Sequence, residues 1–180
     1  MALLEIITRT YKRPAMLRHN RASLERQSSH DWTQTMMIDH EGIGIAATYE
    51  RLSTYEPGGD FVWLLDDDDL CVYEDLVADL YDVAFAHNPD VVMMKMDRDG
   101  HILPDKFTWQ KPPQLGHVCV SCFIVKRAVW MRHRSAFAPG TYSSDFNFIS
   151  DVFERDYEVY WLDVVASKCQ RVSRGEPEHV

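Results

Sequence analysis

"FVWLLDDDDL", residues 61–70, runs five apolar residues straight into four consecutive aspartates. The apolar run is short and bulky, so it reads as a buried strand. Asp66, Asp67, Asp68 and Asp69 then stand at its carboxyl end. Four adjacent carboxylates repel one another and resist ionising together unless a cation joins them. A solvated acidic turn that caps the next helix is one reading of the run. A site for a metal ion and its anionic ligand is the other.

Outward from this stretch, strands and helices alternate. "LLEIIT" (3–8) is a second short buried strand, and Pro14 opens a helix in "PAMLRHNRASLERQ", where its missing N–H does no harm. "TMMID" (35–39) is a strand, "IGIAATYERL" (43–52) a helix and "EPGGD" (56–60) a turn. After the aspartates, "VYEDLVADLYDVAFAHN" is an amphipathic helix with Leu76, Leu80, Val83 and Phe85, followed by the strand "DVVMMKM" and a hairpin through "DRDG". Residues 104–116 form a long polar loop. "HVCVSCFIV" reads as a strand, "KRAVWMRHR" as a short helix, and "SDFNFISDVFERD" as a longer one with Ser144 or Asp145 near its N-cap. "YEVYWLDVVA" is the last strand. The alternation predicts βαβ units: a single α/β domain over 1–180, with a Rossmann-like, mostly parallel sheet and helices on both faces. Residues 1–100 carry this alternation, and 101–180 are richer in strands and loops.

A net charge of -9 argues against a nucleic-acid binder that works by phosphate neutralisation. The N-terminal third nevertheless concentrates Arg9, Lys12, Arg13, Arg18, Arg21 and Arg26. The four cysteines are too few and irregular for a disulfide framework. Cys119 and Cys122 in "CVSC", placed on a strand, point to opposite faces, so their sulfurs are expected not to converge and to be buried structural thiols. The N-terminus lacks the pattern of a signal peptide, and no apolar run approaches the ~20 residues that span a bilayer. The expectation is a cytoplasmic protein.

Ligands of open α/β sheets bind beyond the carboxyl ends of the strands. Three such ends here read "TRTYKRP", "DHEG" and "DDDD". Tyr11 offers an aromatic face for a base, Asp39 an acceptor for a ring N–H or a ribose hydroxyl, and Arg9 and Arg13 offer cations for phosphate. The aspartates offer hard oxygens suited to Mg²⁺ or Mn²⁺, which share phosphate oxygens with a substrate. That set describes a nucleotide-diphosphate site.

On these residues the chain resembles the family-2-type glycosyltransferases, which have the GT-A fold. "IITRTYKRP" resembles the family's "PTYNRP" opening, and "MMIDHEG" its strand-end "VDDGS", with Asp39 on the first aspartate. "GGDFVWLLDDDDL" resembles the block that carries the DxD metal motif, with Asp66 and Asp68 on its two aspartates. "TYSSDFNFISDVFERDYEVYWLD" resembles the region where the catalytic aspartate opens a helix, which puts Asp145 on the general-base position. The resemblance spans about residues 3–165. It implies transfer of a hexose from a nucleoside-diphosphate sugar, often UDP-linked, to an acceptor hydroxyl with Mn²⁺ or Mg²⁺. It further implies nucleotide contacts from Thr8, Arg9, Tyr11, Arg13, Asp39 and Asp67. Asp66, Asp68 and a late histidine, His179, fall to the metal, and Asp145 to the acceptor's proton in an inverting reaction. A partner or homo-oligomer could complete the acceptor pocket.

Two other readings stand beside this one. A haloacid-dehalogenase-like phosphatase also places an aspartate pair after an apolar strand, but normally at the start of the domain. A nucleotide- or metal-binding module of the same fold would keep the site without turnover.

Overall fold

The computed structural model describes residues 2–141 and 143–170, with Ile45 described by its backbone alone. Among the described residues the strands are β1 (Leu4–Thr10), β2 (Trp32–Ile38), β3 (Phe61–Leu64), β4 (Asp69–Cys71), β5 (Val91–Arg98), β6 (His101–Leu103), β7 (Phe123–Lys126) and β8 (Val159–Cys169). The α-helices among them are α1 (Pro14–Leu24), α2 (Gly44–Thr54), α3 (Leu76–His87), α4 (Arg127–His133) and α5 (Ser144–Phe153).

The strands join into one sheet in the order β2-β1-β3-β7-β5-β8-β4, with β6 hairpinned onto β5. β1 pairs parallel with β2 and β3, and β5 parallel with β8. β7 lies antiparallel between β3 and β5, so β2, β1, β3, β5 and β8 share one direction, and the sheet is mostly parallel. The hairpin turns at Asp99 and Gly100, both at positive φ, where a side-chain-free residue is favoured. Asp97 accepts the Gly100 N–H at 2.6 Å and fixes that turn.

Alternate residues of the strands feed two cores, one on each face. Ile7, Val62, Leu64, Val91 and Met93 pack with α2, α4 and α5 through Tyr49, Leu52, Trp130, Phe148 and Ile149. Leu4, Ile6, Phe61, Trp63 and Val92 pack with α1 and α3 through Leu24, Leu76, Leu80 and Val83. Helices therefore cover both faces. Among the described residues no helix is long and apolar enough to cross a membrane.

Three local expectations are corrected. The reading in which the acidic run caps the next helix does not hold: Asp69 opens β4 and pairs with Cys169 of β8, while Asp75 precedes α3. The 117–125 strand is shorter than its apolar pattern, because Val120–Cys122 forms a 3-10 turn and only Phe123–Lys126 is extended. β8 runs on to Cys169, where β4 supplies it with a partner.

Candidate nucleotide-sugar site

The site begins with strand register. Thr10 lies opposite Ile38, and Ile7 opposite Leu64, so the carboxyl ends of β1, β2 and β3 finish side by side. Backbone bonds extend the alignment past the strands: Asp39 donates to Thr10 at 2.9 Å, Leu65 to Ile7 at 3.0 Å and Asp67 to Arg9 at 3.2 Å. "TRTYKRP", "DHEG" and "DDDD" therefore share one edge of the sheet.

The aspartate run is held by side chains from elsewhere. Buried Asn20 donates its amide to the carbonyls of Asp66 (3.0 Å) and Asp69 (2.8 Å). Gln34 fixes Asn20 in turn, donating to its Oδ1 at 2.8 Å and to Thr8 Oγ1 at 2.9 Å. Gln170 closes the far side, donating Nε2 to the Asp67 carbonyl at 2.8 Å. Thr8 is wholly buried, and its hydroxyl accepts from this scaffold. Asn20, Gln34 and Gln170 were not singled out in the sequence, where an isolated amide carries no pattern.

The four carboxylates take different environments. Asp66 receives both arms of Arg9, at 2.7 and 2.5 Å, and the Arg9 guanidinium lies 4.4 Å from the Tyr49 ring centre. Burial works against the Arg9 charge, but Asp66 outweighs it and the pKa is raised. Asp67 is fully buried and pairs with Arg13 at 2.5 Å. Burial still pushes its pKa up to about 6, with Asp68 and Asp66 adding repulsion and Thr10 and Arg13 opposing. Burial also pushes Asp69 well above the ordinary carboxylate range. Asp68 is the most open, 36% exposed at its side chain, and meets Arg13 at 3.1 Å.

Arg9 and Arg13 thus offset part of the run's charge from within the chain. Among the described residues no three His, Cys, Asp or Glu side chains converge as a metal cluster. The donor chemistry nonetheless fits a hard divalent ion, since Mg²⁺ commonly takes only one or two carboxylates and completes its shell with water and substrate phosphate. Asp68 is the most accessible such oxygen. His179 lies outside the described residues.

Asp39 folds its own loop. Its Oδ1 accepts the N–H groups of Glu41 (3.2 Å), Gly42 (2.8 Å) and Ile43 (3.0 Å), and its Oδ2 that of Gly44 (3.1 Å). Burial would raise its pKa, but these donors prevail and lower it. Tyr11 lies against this loop: a Cβ on Gly42, whose φ is +72°, would come within 2.5 Å of the Tyr11 hydroxyl. Tyr11 keeps 40% of its surface exposed.

Asp145 sits in the first turn of α5, close enough to the run that Arg9 and Asp66 both act on its charge. Burial raises its pKa, the Phe146 N–H at 2.7 Å and Arg9 oppose, and Asp66 adds to the rise. Phe148 places α5 by stacking on Phe137 at 4.7 Å and on Phe123 at 5.8 Å. His133 of α4 bolts the helix's far end, meeting Asp151 at 2.6 Å and Tyr157 at 3.0 Å. The long 104–116 loop packs Trp109 edge-on against Trp161 at 5.0 Å, with the Lys95 ammonium 4.6 Å from its ring centre.

The "CVSC" expectation is also corrected. The 3-10 turn closes with the Cys122 N–H donating to the Cys119 carbonyl at 3.0 Å. It brings the two sulfurs to 3.2 Å. A strand would have sent them to opposite faces; a turn does not.

No family model and no curated protein matches the sequence. Solved structures do share the fold. S. aureus TarS 1-349 in complex with UDP-GlcNAc superposes with a TM-score of 0.69 at 14% identity, over 99% of this chain and 60% of that one. The mannosyltransferase PcManGT from Pyrobaculum calidifontis, in complex with GDP-Man and Mn²⁺, gives 0.66 at 14% identity, over 96% and 58%. A197 from STIV gives 0.56 at 15% identity, over 99% of this chain and the whole of that one. The chain has the GT-A fold of nucleotide-diphospho-sugar transferases. It spans about 60% of the TarS fragment and of PcManGT. The aspartates follow the third strand, whereas the phosphatase pattern places them after the first.

Proposed function

We propose that the chain is a glycosyltransferase that moves a hexose from a nucleoside-diphosphate sugar, UDP-linked in the first instance, to an acceptor hydroxyl with inversion. One observation carries this reading: β1, β3 and α5 bring Arg9, Arg13, the aspartate run and Asp145 together at the carboxyl edge of a GT-A sheet. The ligands of the structural neighbours, UDP-GlcNAc and GDP-Man with Mn²⁺, support the donor class.

Asp68 and Asp66 would hold a Mn²⁺ or Mg²⁺ ion, with His179 from the C-terminal segment as a further ligand. Such an ion neutralises the departing diphosphate. Arg13 is the mobile cation: it leaves Asp68 and turns to phosphate, while Asp67 beneath it keeps its position. Arg9 stays on Asp66 and sets that carboxylate's direction, and its field reaches the diphosphate from below. Tyr11 presents its exposed face to the base, and Asp39 shapes the loop beside it and meets the nucleoside. Thr8 supports the floor through Gln34 and Asn20. Asp145 takes the proton from the acceptor oxygen as that oxygen attacks the sugar.

The test is the melting temperature of the chain with UDP, GDP and their sugars, with and without Mn²⁺. A ligand that binds only the folded state raises it, by about 2.7 kcal/mol of stability at a hundredfold excess over Kd. A rise that needs both nucleotide and metal is the expected result. No metal-dependent response to any nucleotide would overturn the proposal, and a response without transfer from any sugar nucleotide would leave a binding module.

A further inference from the structure

We propose that Cys119 and Cys122 are a redox-active dithiol, a modification site that takes small-molecule disulfides as its oxidant and closes to an intramolecular disulfide. The inference is independent of the sugar-transfer reading.

Geometry carries it. The sulfurs stand 3.2 Å apart. The Cys122 N–H to Cys119 carbonyl bond at 3.0 Å makes residues 119–122 a closed four-residue turn. Such a turn holds its end Cα atoms within about 7 Å, inside the span a disulfide can bridge. The backbone need not unfold for the bond to form. The turn is braced, since Trp63 donates its indole N–H to the Ser121 carbonyl at 3.1 Å from the neighbouring strand.

The two thiols have unequal roles. Cys119 is half-buried, whereas Cys122 is wholly enclosed. Cys119 Sγ has polar company that favours a thiolate: Cys122 Sγ at 3.2 Å and Ser121 Oγ at 3.4 Å. The Cys122 thiol is the larger influence and, with Ser121, pulls the Cys119 pKa below its ordinary value against burial. Burial pushes Cys122 far up. An acidified sulfur on a partly exposed residue, backed by a buried partner thiol, is the arrangement of an attacking and a resolving cysteine. The other two thiols lack it: burial pushes Cys71 up to about 12 and Cys169 up to about 11.

The reaction balances with a named oxidant. The Cys119 thiolate attacks one sulfur of a small disulfide and expels one small thiolate, leaving a mixed disulfide on Cys119. Cys122 then attacks Cys119 Sγ and expels the second small thiol, which leaves with the Cys122 proton. Two electrons pass from the protein dithiol to the small disulfide. Met96, whose Sδ lies 3.0 Å from Cys119 Sγ, lines the pair without taking part.

The experiment uses the reduced full chain and excess bis(2-hydroxyethyl) disulfide, read by intact mass and peptide mapping. The expected product is about 2 Da lighter, with no retained adduct, and carries a bond between Cys119 and Cys122. Cys122→Ser should instead keep the hydroxyethylthio adduct on Cys119, and Cys119→Ser should form neither product. The proposal is overturned if the unmodified sequence does not react, if it keeps a stable adduct, or if the new bond maps to Cys71 or Cys169. The wild-type measurement alone decides it, so failure of either variant to fold leaves the test intact.

Discussion

Glu5 shows how a single charge can organise a buried edge. It is the one ionisable residue in an otherwise apolar stretch of β1, and only 4% exposed. Its carboxylate accepts from Thr35 (2.7 Å), from Tyr55, and from the N–H groups of Gly58 (2.5 Å) and Gly59 (3.1 Å). Burial pushes its pKa up, but these donors outweigh it and the folded value falls below the ordinary 4.5. The stabilisation is therefore complete above about pH 4.5 and is lost as pH drops through the folded value. Glu5→Gln should cost about 2–3 kcal/mol at pH 7 and flatten the acid limb of a Tm-versus-pH curve. At the crevice, Asp68→Ala should abolish the metal-dependent part of nucleotide binding. Asp145→Asn should spare that binding in a thermal-shift titration and lower turnover roughly 10²–10⁴-fold. Turnover surviving in Asp145→Asn would remove Asp145 from the base role.

At the scale of elements, the 56–60 turn packs closely on β1. A Cβ on Gly59 would lie 2.7 Å from the Glu5 backbone nitrogen and 3.0 Å from the Phe61 carbonyl, both backbone atoms that cannot move aside. Gly59→Ala should destabilise by about 1–3 kcal/mol in chemical denaturation, although its φ is ordinary. α5 depends on aromatic packing in the same way: Phe148→Ala should cost about 3–5 kcal/mol and loosen the helix that carries Asp145. The strands and helices of the first half were legible because apolar runs of 4–8 residues alternate with helical periodicity. The 3-10 turn at Val120–Cys122 was not, since a continuous apolar run has no mark separating turn from strand. β4 was hidden too: only its pairing with β8 makes Asp69–Cys71 a strand.

For the whole molecule, the sequence order of the strands was enough to expect that the acidic run and its flanking cations share one sheet edge, which the register of β1, β2 and β3 gives. What could not be read was which cation faces which carboxylate. The bidentate Arg9–Asp66 pair spans 57 residues and follows from β1–β3 register alone. The amide scaffold of Asn20, Gln34 and Gln170 is equally non-local. One feature of the sheet has a reach beyond stability. β7 runs against β3 and β5, so the chain enters it at the edge where they finish. That reversal delivers residues 118–122 to the crevice side and sends the β7–α4 junction to the opposite rim. Segments grafted before Phe123 should therefore enlarge the crevice wall and alter what it admits. Segments grafted after Lys126 should leave the crevice untouched, giving this architecture one permissive rim for fusion and one rim where added length changes selectivity.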